Sequence, residues 1–132
     1  MEETMQFLRE AKTFYLATAS KDGQPHVRPF GAVCIFDGHL YFVTNNQKNV
    51  YSQIIENPKV ALCGMDHGKW IRVEGTVEED LRREARVAMM EENEKALSSM
   101  YTVDDNLMTV FRFMEATATI YSFTDEPEVH TF

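Results

Sequence analysis

The stretch FYLATASKDGQPHVRPFGAVCIFDGHLYFVT, residues 14–44, decides the fold. It opens on Phe14-Tyr15-Leu16-Ala17-Thr18-Ala19, an apolar run rich in strand formers, and then meets Lys21-Asp22-Gly23. Asp-Gly between apolar runs is a strong hairpin signal, because the tight turns that join antiparallel strands need residues that accept positive φ. Gln24-Pro25-His26-Val27-Arg28-Pro29 resumes as a strand. Its two prolines demand an edge position or a break, since proline brings no N–H to a ladder. Phe30 to Phe36 runs into a second turn at Asp37-Gly38, and His39-Leu40-Tyr41-Phe42-Val43-Thr44 returns from it. Two Asp-Gly hairpins within about thirty residues predict four antiparallel strands in a meander.

Outward from this stretch the period changes. Upstream, Met5, Leu8 and Ala11 fall on one side of a short amphipathic helix over Glu2 to Lys12. Downstream, Asn45-Asn46-Gln47 breaks the strand, and Val50, Tyr51, Ile54 and Ile55 share a helical face that Asn57-Pro58 ends. Lys59 to Met65 reads as strand, Asp66 to Lys69 as turn, and Trp70 to Glu78 alternates with Ile71, Val73 and Val77 inward. From Glu79 to about Leu97 the pattern is helical, with Glu79/Arg83 and Glu91/Lys95 as i,i+4 pairs. Thr102-Val103-Asp104-Asp105 resembles a capping box opening a last short helix through Leu107, Met108 and Phe111. Ala116 to Phe123 closes as a strand. The expected architecture is mainly β with peripheral helices: six or more antiparallel strands in a small barrel, which closes the sheet edges.

Composition bounds the function. The chain has 132 residues, 44% apolar and 26% charged, which suits one domain over residues 1–132. Thirteen Lys and Arg against twenty-one Asp and Glu leave a net charge of −8, which gives no general electrostatic reason to bind nucleic acid. No window is apolar for long enough to span a membrane. The start Met1-Glu2-Glu3-Thr4 is acidic where a signal peptide is basic, so a cytoplasmic location is expected. Cys34 and Cys63 sit in apolar strands and read as small buried hydrophobes; the four histidines form no metal motif. No nucleophile motif or phosphate loop is present, so an enzyme built on this chain would draw its hard chemistry from a cofactor.

Three places could carry a ligand. Thr44-Asn45-Asn46-Gln47-Lys48 brings a hydroxyl, three amides and an ammonium to a helix N-terminus, where free N–H groups and the macrodipole favour an anion. No acid occurs between Thr44 and Gln53. The plain alternative is that Asn45 or Asn46 merely caps a surface helix. Arg28-Pro29-Phe30-Gly31-Ala32 lets a planar ligand approach the main chain, or is only a kinked edge strand. Trp70, the sole tryptophan, either stacks on a ligand or belongs to the core.

Taken in order, these pieces resemble the pyridoxamine 5′-phosphate oxidase-like family of FMN-binding split barrels. The likeness is carried by Phe14-Tyr15-Leu16-Ala17-Thr18, Gly23 to Pro29, Leu40 to Thr44, Lys48, Asn57-Pro58-Lys59-Val60-Ala61 and Trp70 to Gly75. The compact ending, Glu115 to Phe123, is most similar to the nitroimidazole-reductase-related and general-stress branches. The tail Asp125 to Phe132 lacks the arginine with which the oxidases hold pyridoxal. The resemblance implies a six-stranded split barrel that binds FMN. It implies that Lys48, Asn45 and Gln47 hold the phosphate and that Thr44 touches the ribityl arm. Arg28, Pro29, Phe30, Gly31 and Val33 would line the isoalloxazine, and Trp70 would stand where the oxidases carry a ligand-contacting glutamine. It also implies a homodimer with flavin at the interface. The implied activity is electron transfer from a reduced nicotinamide to a small nitro- or quinone-like acceptor. A non-catalytic module holding flavin, deazaflavin or haem is the alternative.

Overall fold

A computed structural model describes residues 1–132. In chain order the elements are α1 (Glu2–Ala11), β1 (Phe14–Ala19), β2 (Pro25–Phe30), β3 (Val33–Phe36), β4 (His39–Asn45), α2 (Asn49–Glu56), β5 (Lys59–Asp66), β6 (Lys69–Asp80), α3 (Arg83–Glu92), α4 (Glu94–Leu97), β7 (Met108–Tyr121) and β8 (Glu128–Thr131). The expected mainly antiparallel architecture is present, with eight strands in place of six.

The two Asp-Gly hairpins form, but they are not neighbours. The strand order is β2-β1-β5-β6-β7-β4-β3, with β8 added on β7. The expected meander is therefore wrong: β2 and β3 lie at opposite ends of the path, joined only by Gly31-Ala32. A two-residue link between the first and last strands forces the sheet to curl until those edges approach each other. They do not pair, so the sheet is a split barrel and its edges stay open, contrary to the expected closure. The turn at Asp37-Gly38 has positive φ at both residues, 50° and 75°, the form that matches strand twist.

β6 alternates as read, with Ile71, Val73 and Val77 buried. It continues to Asp80, because Glu79 and Asp80 pair with Phe111 and Val110 of β7. The helix expected from Glu79 thus starts later and breaks at Asn93. Glu79 accepts a hydrogen bond from the Tyr51 hydroxyl at 2.6 Å, and Arg83 pairs with Asp104 at 2.9 Å, so the expected Glu79/Arg83 pair does not form. The helix expected after Thr102 is absent. Asp105 accepts from the Thr102 N–H at 2.9 Å, as a capping box would. It also accepts from Leu107 and Met108 at 2.8 and 2.9 Å, which turns the chain directly into β7. The pattern across Met108 to Phe113 belongs to a strand covered on both faces, which periodicity alone confuses with a helix.

β7 pairs with β4 along Met108–Arg112 and with β8 along Thr117–Ile120. Between these stretches Thr76 faces Glu115 and Val77 faces Phe113, leaving Met114 as a bulge. Gly75 sits beside it, and a Cβ there would stand 2.0 Å from the Glu115 carbonyl oxygen. Only glycine admits that approach.

The main core lies inside the curl. Phe42 stacks on Phe111 with centroids 5.7 Å apart, and Phe30 and Phe113 meet Phe42 edge-on. Each such ring removed from water contributes about 1.5–3 kcal/mol. A second cluster, including Cys34, Tyr41, Val43, Ala85 and Met89, fills the space beneath α3. Burial pushes the Cys34 thiol up to about 12, consistent with an inert packing role. Cys63 is exposed on β5, against the expectation that both cysteines are buried.

Candidate functional site

A cavity of about 350 Å³ opens where the two sheet edges come together. The end of β2 supplies Pro29 and Phe30, the link supplies Gly31 and Ala32, and the end of β4 supplies Val43 and Thr44. Lys48 joins from the start of α2, Lys12 from the turn after α1, and Ala96, Leu97, Met100 and Tyr101 from α4 and the loop behind it. Burial raises the Tyr101 hydroxyl above the usual tyrosine range, against the opposing pull of a side-chain hydrogen bond with Asn45. No Asp or Glu lines the cavity, although the chain as a whole carries −8.

The loop between β4 and α2 shows why a strand ends here in a free helix N-terminus. The Asn45 carboxamide accepts from the Gln47 N–H at 2.8 Å and bends the chain. Asn46 donates from its main chain to the Leu107 carbonyl at 3.0 Å and from Nδ2 to the Asn106 carbonyl at 2.8 Å. Gln47 Nε2 donates to Asn46 Oδ1 at 2.9 Å. All three amides hold the turn, Asn45 also meets the Tyr101 hydroxyl, and neither asparagine caps the helix. The N-cap is Lys48, extended at φ −84°, with no side-chain cap and no acid in the first turn. The Tyr51 N–H donates to the Lys48 carbonyl at 3.1 Å, which leaves the Asn49 and Val50 N–H groups and the Lys48 ammonium to favour an anion.

Thr44 lines the same cavity and carries a buried, unpaired hydroxyl, as Thr4 in α1 does away from it. A buried hydroxyl left unpaired costs about 1–3 kcal/mol. Beside a cavity with an anion site, such an orphan suits a group that carries oxygen acceptors, such as a phosphorylated polyol.

The remaining expected residues lie elsewhere. The Arg28 guanidinium turns inward under β1. It donates to the Leu16 carbonyl at 3.1 Å, to Thr18 Oγ1 at 2.9 Å and to Gln53 Oε1 at 2.7 Å. Burial without a carboxylate partner lowers its pKa, and it ties β2 to β1 and α2. Val33 is a core residue at 2% exposure. Asn45 and Gln47 shape the loop without lining the cavity. Trp70 is half-buried at the start of β6, stacked on Tyr121 at 5.3 Å and touching Phe123, so it belongs neither to the core nor to this chain's own cavity. Of the ten expected contacts the structure brings together Pro29, Phe30, Gly31, Thr44 and Lys48. The wall from α4 and the Lys12 contact went unread. Leu97 and Tyr101 are one helical turn apart, but nothing local says that they face the split.

The sequence family described as pyridoxamine 5′-phosphate oxidase matches residues 1–125. The chain belongs to that family. A member described as a NimC/NimA family protein, from Clostridium acetobutylicum, is 44% identical, with a TM-score of 0.93 over all of this chain and 93% of that one. At that identity the chain falls with the NimC/NimA proteins. Two more distant structures share the fold of this pyridoxamine 5′-phosphate oxidase family member. One is a pyridoxamine 5′-phosphate oxidase-related, FMN-binding protein from Nostoc punctiforme. It is 15% identical, with a TM-score of 0.66 over 99% of this chain and 93% of that one. The other is a haem-binding protein from Mycobacterium smegmatis. It is 13% identical, with a TM-score of 0.70 over 94% of this chain and 57% of that one. No curated protein matches the chain. No helix is long and apolar enough to cross a membrane.

Proposed function

We propose that the cavity at the split holds FMN and that the protein is an FMN-dependent oxidoreductase. The observation that carries this reading is the unpartnered Thr44 hydroxyl beside an uncapped helix N-terminus with Lys48 and no acid nearby. Lys48 and the first N–H groups of α2 hold the phosphate as a charge-assisted contact. Thr44 donates to the arm that joins phosphate to ring. The main chain from Pro29 to Ala32 lies along the ring, and Leu97, Met100 and Tyr101 shield it from water. Bound FMN supplies hydride and electron transfer between a reduced nicotinamide and a small nitro- or quinone-like acceptor; the protein supplies binding, orientation and electrostatics.

The functional unit is a homodimer with the flavin between copies. Support comes from the apolar side chains left on the outer face, with Tyr15, Val27 and Met65 exposed around a broad groove over Ala17, Ala61 and Gly75. Trp70 and Tyr121 lie on that side too, where the partner subunit's cavity can use them. A 15.3 kDa particle by light scattering at micromolar concentration counts against the dimer.

Lys48→Ala tests the phosphate contact. It should weaken FMN binding by about 1.5–3 kcal/mol, the range for a hydrogen bond to a charged group, and an unchanged Kd removes Lys48 from the site. The absorption spectrum of the purified protein separates flavin from haem. A flavin-loaded protein that oxidises neither NADH nor NADPH with any acceptor is a binding module instead.

A further inference from the structure

The helix that offers its N-terminus to the phosphate, α2, is only eight residues long, Asn49–Glu56. A helix that short is marginal by itself, so its surroundings decide where its first N–H groups point. Val50 and Ile54, 4% and 2% exposed, lie one turn apart and seat it on the core. Such a single apolar line leaves the helix free to roll, because hydrophobic burial is not directional. Two side chains fall on opposite sides of that line and oppose the roll. Gln53 Oε1 accepts from Arg28 Nη2 and from Thr18 Oγ1, both at 2.7 Å, which ties the second turn to β2 and β1. Tyr51 belongs to the first turn. Its hydroxyl donates to Glu79 Oε1 at 2.6 Å, and its ring tilts against Phe111 with centroids 5.9 Å apart. The bond to Glu79 pushes the hydroxyl up to about 12, with burial adding to it, so it remains a donor throughout the neutral range. The other side-chain bond in α2 runs from Ser52 Oγ to the Asn49 carbonyl at 3.0 Å and stays within the helix. Tyr51 is therefore the hydrogen-bonding side chain that fixes the first turn to β6, next to the Asn49 and Val50 N–H groups.

We propose that Tyr51, held by Glu79, is a positioning residue that aims the first N–H groups of α2 at a phosphate without touching it. The negative charge of Glu79 opposes a phosphate nearby, so what it offers the site is an acceptor for Tyr51. With the hydroxyl gone, α2 is pinned on the Gln53 side alone and its N-terminus turns away from the cavity. This rests on the reading of α2 and Lys48 as the phosphate contact.

FMN and riboflavin share the ring and the ribityl arm and differ in the phosphate, so the ratio of their affinities reads the anion site. Both are titrated by flavin fluorescence against the wild type, Y51F, E79A and E79Q. Y51F and E79A should each lose about fivefold in FMN affinity, as one hydrogen bond gives, with riboflavin held within about twofold. E79Q keeps an acceptor for the hydroxyl and should bind FMN within about twofold of the wild type. The proposal is overturned by Y51F that binds FMN like the wild type, or that loses FMN and riboflavin alike. It is equally overturned by E79Q as weak as E79A, or by E79A and E79Q both tightening FMN, which makes Glu79 a charge and no anchor. Inorganic phosphate, read by thermal shift on the same four proteins, repeats the comparison without flavin. It should stabilise the wild type and E79Q more than Y51F and E79A. A wild type that takes up no FMN but is stabilised by phosphate defeats the cofactor assignment alone, and the phosphate ranking then decides Tyr51. A wild type that responds to neither overturns the anion site and this role with it.

Discussion

Two buried threonine hydroxyls in this fold should respond oppositely to the same substitution. Thr44 and Thr18 are both 3% exposed. Thr18 Oγ1 donates to Gln53 Oε1 at 2.7 Å and accepts from Arg28 Nη1 at 2.9 Å. Thr44 Oγ1 has no partner. Replacing either by valine keeps the shape and removes the hydroxyl. At position 18 this strips a partner from a half-buried guanidinium and an amide, which should destabilise by about 1–3 kcal/mol. At position 44 it removes an unpaired polar atom, so the ligand-free protein should gain about 1 kcal/mol, or roughly 3–5 °C in Tm for a domain of this size. If the Thr44 hydroxyl meets the ligand, Thr44→Val should at the same time weaken FMN binding by about 1 kcal/mol, near fivefold. Urea unfolding of ligand-free protein measures the first effect and a flavin fluorescence titration the second. A Thr44→Val protein destabilised like Thr18→Val, or one that binds FMN as tightly as the wild type, refutes the assignment.

Two further outcomes test the frame around the site. The buried Asp80 carboxylate accepts from the Tyr41 hydroxyl at 2.7 Å and from Arg82 Nη2 at 2.8 Å, and these contacts hold its pKa far below the usual carboxylate range. A lowered native pKa gives stability that is full above the unfolded value near 4 and lost as pH falls below it. Asp80→Asn should therefore lose about 2 kcal/mol at pH 7 and show a shallower acid limb, read from urea midpoints between pH 2 and 7. Gly75→Ala would set a Cβ against the Glu115 carbonyl and should destabilise by about 2 kcal/mol or more, with the loss seen first as faster amide exchange around the Met114 bulge.

Most of the signals that set this fold are local. Asp37-Gly38 makes its turn from its own backbone preference, β6 declares its buried face by alternation, and Asn57-Pro58 ends α2. The anion site was legible for the same reason: a strand end, a run without acid and a helix start are all contiguous in Thr44 to Lys48. Long-range pairing was not legible. The prolines of β2 mark it as an edge strand, as it is, but nothing in β3 says that it forms the opposite edge, and Met108 to Phe113 is apolar on both faces only because β7 lies between two cores.

Residues 14–65 thus determined by themselves that hairpins form and where they turn, while the hydrogen bonds of the folded loop decided that neither Asn45 nor Asn46 caps α2. Tertiary structure decided that Gly31-Ala32 joins the two edges of one curled sheet. That closeness is what creates the cavity, sets Lys12 and the α4 wall beside Lys48, and strands the Thr44 hydroxyl. It also turns Arg28 away into a clamp on Thr18 and Gln53. A side chain's local type follows from its neighbours in sequence, whereas its partners follow from which strands meet. In an antiparallel sheet that choice is made by burial summed over the whole chain.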